Sequence, residues 1–296
     1  MTNNYSYSVI NGVQKIKSKA VLITTALTMA VSGGGLAAVS LSGIAHAASS
    51  SATKSTATQF TPSVVSGLTV DRTAPSGGYK STSFGGRSNV LEMNIDSENR
   101  STAERFYYTE GLQQAVNGQT SAKADLYVPS SWTTTPVRAG IWGVGNNTAG
   151  EITAYPIAEF ANTDGYVGWR VFNDEQGGWV NFPAIPYTTN GWNTVGFTYN
   201  ATTTKFDFTI NGKSAGSSFA TGSVNLSAVI FNSFNFGTGN PSYGVHWSNL
   251  VTSYSVTGDK DSCKDNGWDG LTLANGTTFK NQGACVSYFT SNKSKQ

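Results

Sequence analysis

The stretch GWNTVGFTYNATTTKFDFTINGK, residues 191–213, contains two short runs in which apolar and polar side chains alternate. The runs are NTVGFTY at 193–199 and KFDFTI at 205–210. Alternation with a period of two, in residues rich in Val, Phe, Tyr and Ile, predicts β-strands. The Asn211-Gly212 pair that follows the second run is typical of a tight turn. The stretch therefore predicts two successive strands with a polar connection between them.

The same alternation recurs along most of the chain. Further runs are VLEMNI at 90–95, ADLYV at 124–128, RAGIWGV at 138–144, YVGWRVF at 166–172, GWVNF at 178–182 and SYSV at 253–256. Gly, Asn and Pro punctuate them, and no stretch after residue 47 shows a helical period. Eight or more strands in about 190 residues predict an all-β jelly-roll sandwich. The 15 Phe, 13 Tyr and 7 Trp residues supply material for its core.

Residues 191–216 resemble the paired strands of concanavalin A-like, laminin-G-type lectin and glucanase domains. In those domains a Trp opens one strand, a polar turn follows, and the next strand ends in Asn-Gly before a basic residue. The corresponding residues here are Trp192, the turn 200–204 and Asn211-Gly212-Lys213. Residues 76–96 resemble the opening strand of such domains, and residues 249–257 resemble the final strand that pairs with it. The resemblance covers residues 69–257 and implies a concanavalin A-like jelly-roll sandwich.

The first 47 residues have the layout of a secretory signal peptide. Three lysines between residues 15 and 19 precede an apolar stretch at 20–44, and Ala45-His46-Ala47 forms a small-x-small cleavage site. An uncleaved membrane anchor is the alternative, because about 20 apolar residues span a bilayer. We expect cleavage, and hence a secreted or cell-surface bacterial protein with no membrane span in its mature form.

Cleavage changes the charge of the chain. It removes three of the 19 Lys and Arg residues and none of the 17 acidic ones, so the net charge moves from +2 to about −1. No basic patch remains to bind nucleic acid or an anionic lipid surface. The expected partner is instead an extracellular polysaccharide or glycan, bound by a monomer.

Residues 48–68 and 258–296 flank the predicted sandwich at 69–257. The first segment is rich in Ser, Thr and Ala without an apolar period, which predicts a flexible linker or stalk. The second segment contains Cys263 and Cys285, the two cysteines of the chain. A zinc site would need further ligands and a redox pair would favour Cys-x-x-Cys, so outside the cytosol the pair predicts a disulfide.

The residues around these cysteines resemble a short C-terminal module of secreted bacterial proteins. The matching residues are Cys263-Lys264, Gly267-Trp268 and the run FKNQGACVS at 279–287. The resemblance implies export and surface residence rather than a chemical activity.

Acidic residues on one predicted strand provide the candidate for catalysis. On an extended strand Glu92, Asn94, Asp96 and Glu98 would face one side, each about 6.6 Å from the next. Glycoside hydrolases use carboxylates about 5–9.5 Å apart. Laminarinase-type glucanases carry Glu-x-Asp-x-(x)-Glu on such a strand, whereas Asn94 stands here in place of the orienting Asp. We therefore prefer a solvent-facing strand, and keep Glu92, Asp96, Glu98 and Glu159 as catalytic candidates for the alternative only.

Aromatic residues mixed with polar ones indicate a carbohydrate-binding platform. Sugars present apolar C–H faces to aromatic rings and hydroxyl groups to polar side chains. The candidate ligand-binding residues are Trp142, Tyr155, Glu159, Arg170 and Trp179. The alternative is that most of these aromatic residues belong to the core, with Glu159 and Arg170 paired to each other.

Other chemistries have weaker support. His246 is the one histidine of the mature chain, and no Gly-x-Ser-x-Gly motif accompanies it. A polysaccharide lyase would draw on Tyr166 and Arg170. We expect no cofactor; Ca²⁺ is an alternative at the oxygen-rich loops 162–165 and 173–175, which turn chemistry also explains.

The preferred function is glycan or polymer recognition without catalysis. The first alternative is a glycoside hydrolase or polysaccharide lyase that uses the same face, and the second is a structural or adhesive surface module.

Overall fold

The computed structural model of the chain describes residues 51–102, 108–257, 260–269, 271–273 and 278–291. The predicted signal peptide, residues 1–47, lies outside these ranges. Within them, no helix is both long enough and apolar enough to cross a membrane.

The described residues form mainly β-strands. In chain order the strands are β1 (Ser51–Thr58), β2 (Thr69–Asp71), β3 (Tyr79–Phe84), β4 (Arg87–Ile95), β5 (Thr109–Gln119), β6 (Ser121–Val128), β7 (Val137–Asn146), β8 (Ile152–Ala154), β9 (Ile157–Thr163), β10 (Tyr166–Asn173), β11 (Gly178–Asn181), β12 (Gly191–Asn200), β13 (Lys205–Ile210), β14 (Lys213–Phe219), β15 (Asn225–Phe234), β16 (Tyr243–Thr257) and β17 (Leu271–Leu273). The α-helices are α1 (Pro62–Ser66) and α2 (Gln282–Ser291), and 3-10 turns cover Ser97–Asn99, Ser130–Thr133 and Lys260–Cys263.

Two antiparallel sheets contain these strands. The first sheet has the order β14-β13-β12-β6-β16-β1-β17, with β4 joined to β16 and β3 joined to β4. The second sheet has the order β11-β10-β9-β7-β15-β5-β2, with β8 joined to β7. The predicted all-β sandwich is confirmed, and every predicted strand overlaps an observed one.

Alternate residues of both sheets point into one main core, as the period of two requires. Phe60, Phe231 and Trp247 meet there, and the ring of Phe231 lies 5.2 Å from each of the other two. Burying an apolar side chain of this size contributes about 1.5–3 kcal/mol. The core therefore fixes which residues of each sheet are left on the outer faces.

The final strand pairs with β6 along one edge and with two strands in succession along the other. Residues 243–247 of β16 pair with 91–95 of β4, and residues 250–257 pair with β1. The predicted pairing of the last strand with the segment 76–96 is therefore made upstream of residue 249.

The predicted flexible linker at 48–68 is wrong for the residues that the structure describes. Ser51–Thr58 is strand β1, Phe60 is fully buried in the main core, and Thr61 caps helix α1 by accepting a hydrogen bond from the Val64 amide. A strand draws its hydrogen bonds from the backbone, and threonine favours extended structure. A Ser/Thr-rich segment without an apolar period can therefore pair with a neighbouring strand.

The C-terminal segment contains the predicted disulfide between Cys263 and Cys285. These cysteines form a small second core with Ala52, Leu271 and Phe289, and β17 pairs with residues 52–54 of β1. Helix α2 contradicts the expectation that no helix follows residue 47. Cys285 and Phe289 are four residues apart and face the same side of α2, so the disulfide and the small core hold this short helix.

Candidate functional site

The outer face of the second sheet, which points away from the main core, carries two parallel rows of residues. Cα partners across a sheet share a face, so the strand register defines each row. The first, called the polar row, contains Asn181, Arg170, Glu159, Gly140, Asn232, Gly111 and Asp71. The second, called the apolar row, contains Trp179, Phe172, Ile157, Trp142 and Ile230. The polar residues Gln113 and Thr69 continue its line on β5 and β2.

Glu159 is the electrostatic centre of the polar row. Its Oε1 accepts hydrogen bonds from Arg170 Nε at 2.7 Å and from Arg138 Nε at 2.9 Å, and its Oε2 accepts one from Arg138 Nη2 at 3.3 Å. Glu159 is 2% exposed and Arg170 4% exposed. Glu159 and Arg170 therefore pair with each other, as the alternative to their ligand-binding roles states, and burial strengthens the pair because solvent does not screen the charges.

Aromatic rings make up much of the apolar row. The Trp179 ring packs 5.5 Å from the ring of Phe172, and the Arg170 guanidinium lies 4.4 Å from the Trp179 centroid. The Arg72 guanidinium lies 4.4 Å from the Trp142 ring in the same manner. Cation–π contacts of this kind hold the two indole rings in fixed positions beside the polar row.

Two glycines of the polar row leave room beside Asn232. A Cβ on Gly140 would lie 2.9 Å from the Glu159 Cβ and 3.4 Å from Trp142 Nε1. A Cβ on Gly111 would lie 3.2 Å from Asn232 Nδ2. Glycine at these positions lets both nitrogen donors approach the sheet surface, and larger residues would displace them.

Three hydrogen-bond donors at this place are buried without a partner. Within the described part of the chain, Trp142 Nε1, Asn232 Nδ2 and Arg72 Nε have no acceptor. Trp142 is 6% exposed and Asn232 3% exposed. Most buried polar groups in folded proteins are paired, so three unpaired donors beside one another indicate a ligand or ordered water.

The structure brings together four of the five predicted ligand-binding residues. Glu159 and Arg170 lie in the polar row, and Trp142 and Trp179 in the apolar row. Tyr155 precedes β9, in neither row, and is 42% exposed.

The predicted row of acids on one strand is not formed. Strand β4 ends at Ile95, and Asp96 caps the following turn by accepting hydrogen bonds from the Glu98 amide and from Asn99 Nδ2. Glu98 is therefore off the strand. Glu92 faces outward on the first sheet and Glu159 outward on the second, so the sandwich separates these two catalytic candidates.

Glu92 belongs to a different cluster, on the outer face of the first sheet. Glu92 Oε1 accepts a hydrogen bond from Asn94 Nδ2 at 2.9 Å, and Lys80 Nζ lies 3.4 Å from the same oxygen. His246 Nε2 lies 3.7 Å from Glu92 Oε2, and the imidazole stacks on the Phe84 ring. Burial raises the pKa of Glu92, but the Asn94 hydrogen bond and Lys80 outweigh it, so this pKa is lowered overall.

The imidazole of His246 is neutral near pH 7. Burial lowers its pKa more strongly than the charge of Glu92 raises it. The contact with Glu92 is therefore not an ion pair at that pH.

We predict a specific pH dependence of stability from His246. Its pKa is lowered in the folded state, so unfolded chains bind more protons as the pH falls below about 6.5, and stability decreases there. The lowered pKa of Glu92 affects stability only below about pH 4.3. His246→Gln should make the thermal midpoint depend less on pH between about pH 7.5 and 5.5, measured against wild type. Equal slopes for the two proteins would contradict this assignment.

The other predicted sites have structural roles in the described residues. The Tyr166 hydroxyl donates to the Trp169 carbonyl at 2.7 Å, and burial raises its pKa, which opposes a role as a base in a lyase. Asp164 and Gly165 have positive φ in the two-residue turn between β9 and β10. The described residues include no group of three or more His, Cys, Asp or Glu side chains arranged to hold a metal ion.

Sequence reasoning missed three residues of this face. Arg138 precedes Gly140 and Trp142 in the same alternation, so the period of two contains the signal for it. Asn232 is a polar residue within the apolar run VIFNSF, which is another usable signal. Arg72 follows β2 with a φ of 59°, and no local pattern points to its contact with Trp142.

No protein-family model matches the chain, and no curated protein matches it. Similar solved structures include a Bacillus licheniformis β-glucanase, at 11% identity and a TM-score of 0.42, covering 67% of this chain and 97% of the glucanase. They also include a basic winged bean lectin with Tn-antigen, at 13% identity and a TM-score of 0.43, covering 69% of this chain and 98% of the lectin. A sialidase has a TM-score of 0.43 at 8% identity; the match covers 71% of this chain and 19% of the sialidase. All three TM-scores are below 0.5.

Proposed function

We propose that the outer face of the second sheet binds a glycan, in a protein that acts outside the cytosol. The observation that supports this is the polar row beside the apolar row. A sugar ring has the same division, with an apolar C–H face and hydroxyl groups at its edge. Trp142 and Trp179 supply rings for the first, and Glu159, Arg170 and Asn232 supply polar groups for the second. The disulfide supports an oxidising environment.

The arrangement around Glu159 favours binding over hydrolysis. Both carboxylate oxygens already accept hydrogen bonds from arginine. Asp164 is the acid that approaches from the neighbouring turn, with its Oδ2 3.6 Å from Arg170 Nη1. The Arg170 guanidinium contacts both acids and therefore occupies the space between them. A glycosidase needs that space for the scissile bond or a water molecule.

Trp179→Ala tests the proposed site. The variant should weaken binding of any glycan that wild type retains on an array by at least about tenfold, which corresponds to about 1.4 kcal/mol. The reason is the loss of a half-buried ring that packs beside the polar row.

Trp192→Ala is the matched control. Trp192 is also half-buried and also stacks under an arginine, Arg87 at 4.4 Å, but it lies on the first sheet. Its variant should bind as wild type does. Equal losses in the two variants, or no retained glycan, would contradict the site. Release of reducing sugar by wild type, abolished in Glu159→Gln under conditions where this variant remains folded, would instead establish the hydrolase alternative.

A further inference from the structure

The three unpaired donors of the outer face allow the chemical class of the glycan to be narrowed, on the basis of the binding site proposed above. Trp142 Nε1, Asn232 Nδ2 and Arg72 Nε all donate hydrogen bonds and none of them accepts. Within the polar and apolar rows and the arginine that covers them, the orphaned atoms of the described residues are these donors alone. The missing partner is therefore an acceptor.

The donors belong to neighbouring positions. Asn232 is the Cα partner of Gly140, and Trp142 Nε1 lies 3.4 Å from the place that a Gly140 Cβ would occupy. The Arg72 guanidinium covers the Trp142 ring at 4.4 Å. One ligand group that reaches the Trp142 indole nitrogen is thus flanked by Asn232 on the sheet and by Arg72 above the ring.

Arg72 contributes a guanidinium group that has one buried unpaired donor, Nε, in the described part of the chain. Its Nη2 donates to Asp71 Oδ2 at 2.5 Å, and its Nε has no acceptor among the described residues. The side chain of Arg72 is 26% exposed, so it is the part of this group of donors that a ligand meets first. A guanidinium edge binds carboxylate and sulfate oxygens better than hydroxyl groups, because the hydrogen bond is charge-assisted.

We propose that the glycan is acidic and that its carboxylate or sulfate group is received at Arg72, Trp142 and Asn232. A sugar hydroxyl has a proton of its own to donate, whereas these anionic groups offer only acceptor oxygens and several lone pairs. Three unpaired donors, one of them on a guanidinium that also bonds to Asp71, match the several acceptor oxygens of an anionic group. Uronate and sulfate esters share this chemistry, and the experiment distinguishes them.

The opposite face of the sandwich provides an internal comparison. Arg87 lies 4.4 Å over the Trp192 ring and pairs with Asp125 at 2.6 Å, as Arg72 does with Trp142 and Asp71. However, Trp192 Nε1 donates to the Gly85 carbonyl at 2.9 Å. The same arginine–tryptophan–aspartate arrangement thus occurs once with its indole donor satisfied and once with it unsatisfied, and the ligand is assigned to the unsatisfied one.

The test uses the purified full chain and a panel of uronate-bearing and sulfated oligosaccharides, each paired with its carboxyl-reduced or desulfated neutral counterpart. Wild type should prefer the acidic member of one series, with an affinity that falls as salt increases. Arg72→Gln should lower that affinity by about 10- to 100-fold, the equivalent of one charge-assisted hydrogen bond. Trp142→Phe, which keeps a ring and removes the donor, should act in the same direction.

The control variant and the alternative outcomes separate this inference from the proposed function. Arg87→Gln should leave the affinity for the acidic member unchanged. Equal binding of acidic and neutral members would overturn the inference and leave glycan binding in place. Loss of binding in Arg87→Gln as large as in Arg72→Gln would also overturn it. If wild type bound no member of the panel and no neutral glycan, both proposals would fail.

Discussion

Glu159→Gln is expected to lower the free energy of unfolding by about 3–5 kcal/mol, because it leaves buried guanidinium charge without its counter-charge. Glu159 bonds to both Arg138 and Arg170, and the three side chains are 2–13% exposed. Glutamine keeps the shape of the side chain and one acceptor oxygen, so the cost arises from charge rather than from a cavity. Urea denaturation of both proteins, analysed with a common slope, measures the difference.

Glu175→Gln is the matched control for this change. Glu175 pairs with Lys205 at 2.7 Å, but both side chains are 29% exposed. A pair in this setting contributes about 1 kcal/mol or less. A loss below about 1 kcal/mol in Glu159→Gln as well would contradict a structural role for the buried pair. The carboxylate would then be available for chemistry, and the hydrolase alternative would gain support.

The period of two predicted the sandwich well because it records burial directly. Phe206, Phe208 and Ile210 alternate with exposed or half-buried residues in β13, and exposed Thr194 and Thr198 flank the buried Val195 and Phe197 in β12. The same rule placed Arg170 and Trp169 on opposite faces of β10. It failed for β1, where Ala52 is one of few buried apolar side chains and pairing with β16 supplies the stability.

The candidate site was only partly predictable, since it depends on the register between strands. Trp142 and Trp179 lie far apart in sequence, and pairing across β7, β9, β10 and β11 brings them into one row. The sequence predicts the face of the strand on which each residue lies, but it does not predict the register that places these residues in one row. The unpaired donors require side-chain geometry and have no sequence signal. Glu98 shows the converse error, because a turn replaced the strand on which its spacing was calculated.

Replacing both Cys263 and Cys285 by alanine is expected to destabilise the C-terminal segment by about 3 kcal/mol, the loop-closure value for a disulfide with a sequence separation of 22. The small core that remains would contain Ala52, Leu271 and Phe289, and strand β17 offers only three paired residues to β1. We therefore expect this segment to open while the sandwich stays folded.

Hydrogen exchange of the backbone amides measures which strands and helices lose protection when the disulfide is removed. Protection should be lost in α2, in β17 and at those amides of residues 52–54 that donate to β17. All of β1, residues 51–58, pairs with β16, so its amides that donate to β16 should remain protected, since β16 belongs to the main sheet. Ser287→Ala, at an exposed position of α2, is the control variant. Its free energies of opening, measured by hydrogen exchange, should lie within about 0.5 kcal/mol of those of wild type. Loss of protection throughout both sheets would contradict this expectation. It would show that the sandwich unfolds together with the C-terminal segment, and hence that the disulfide stabilises the whole sandwich.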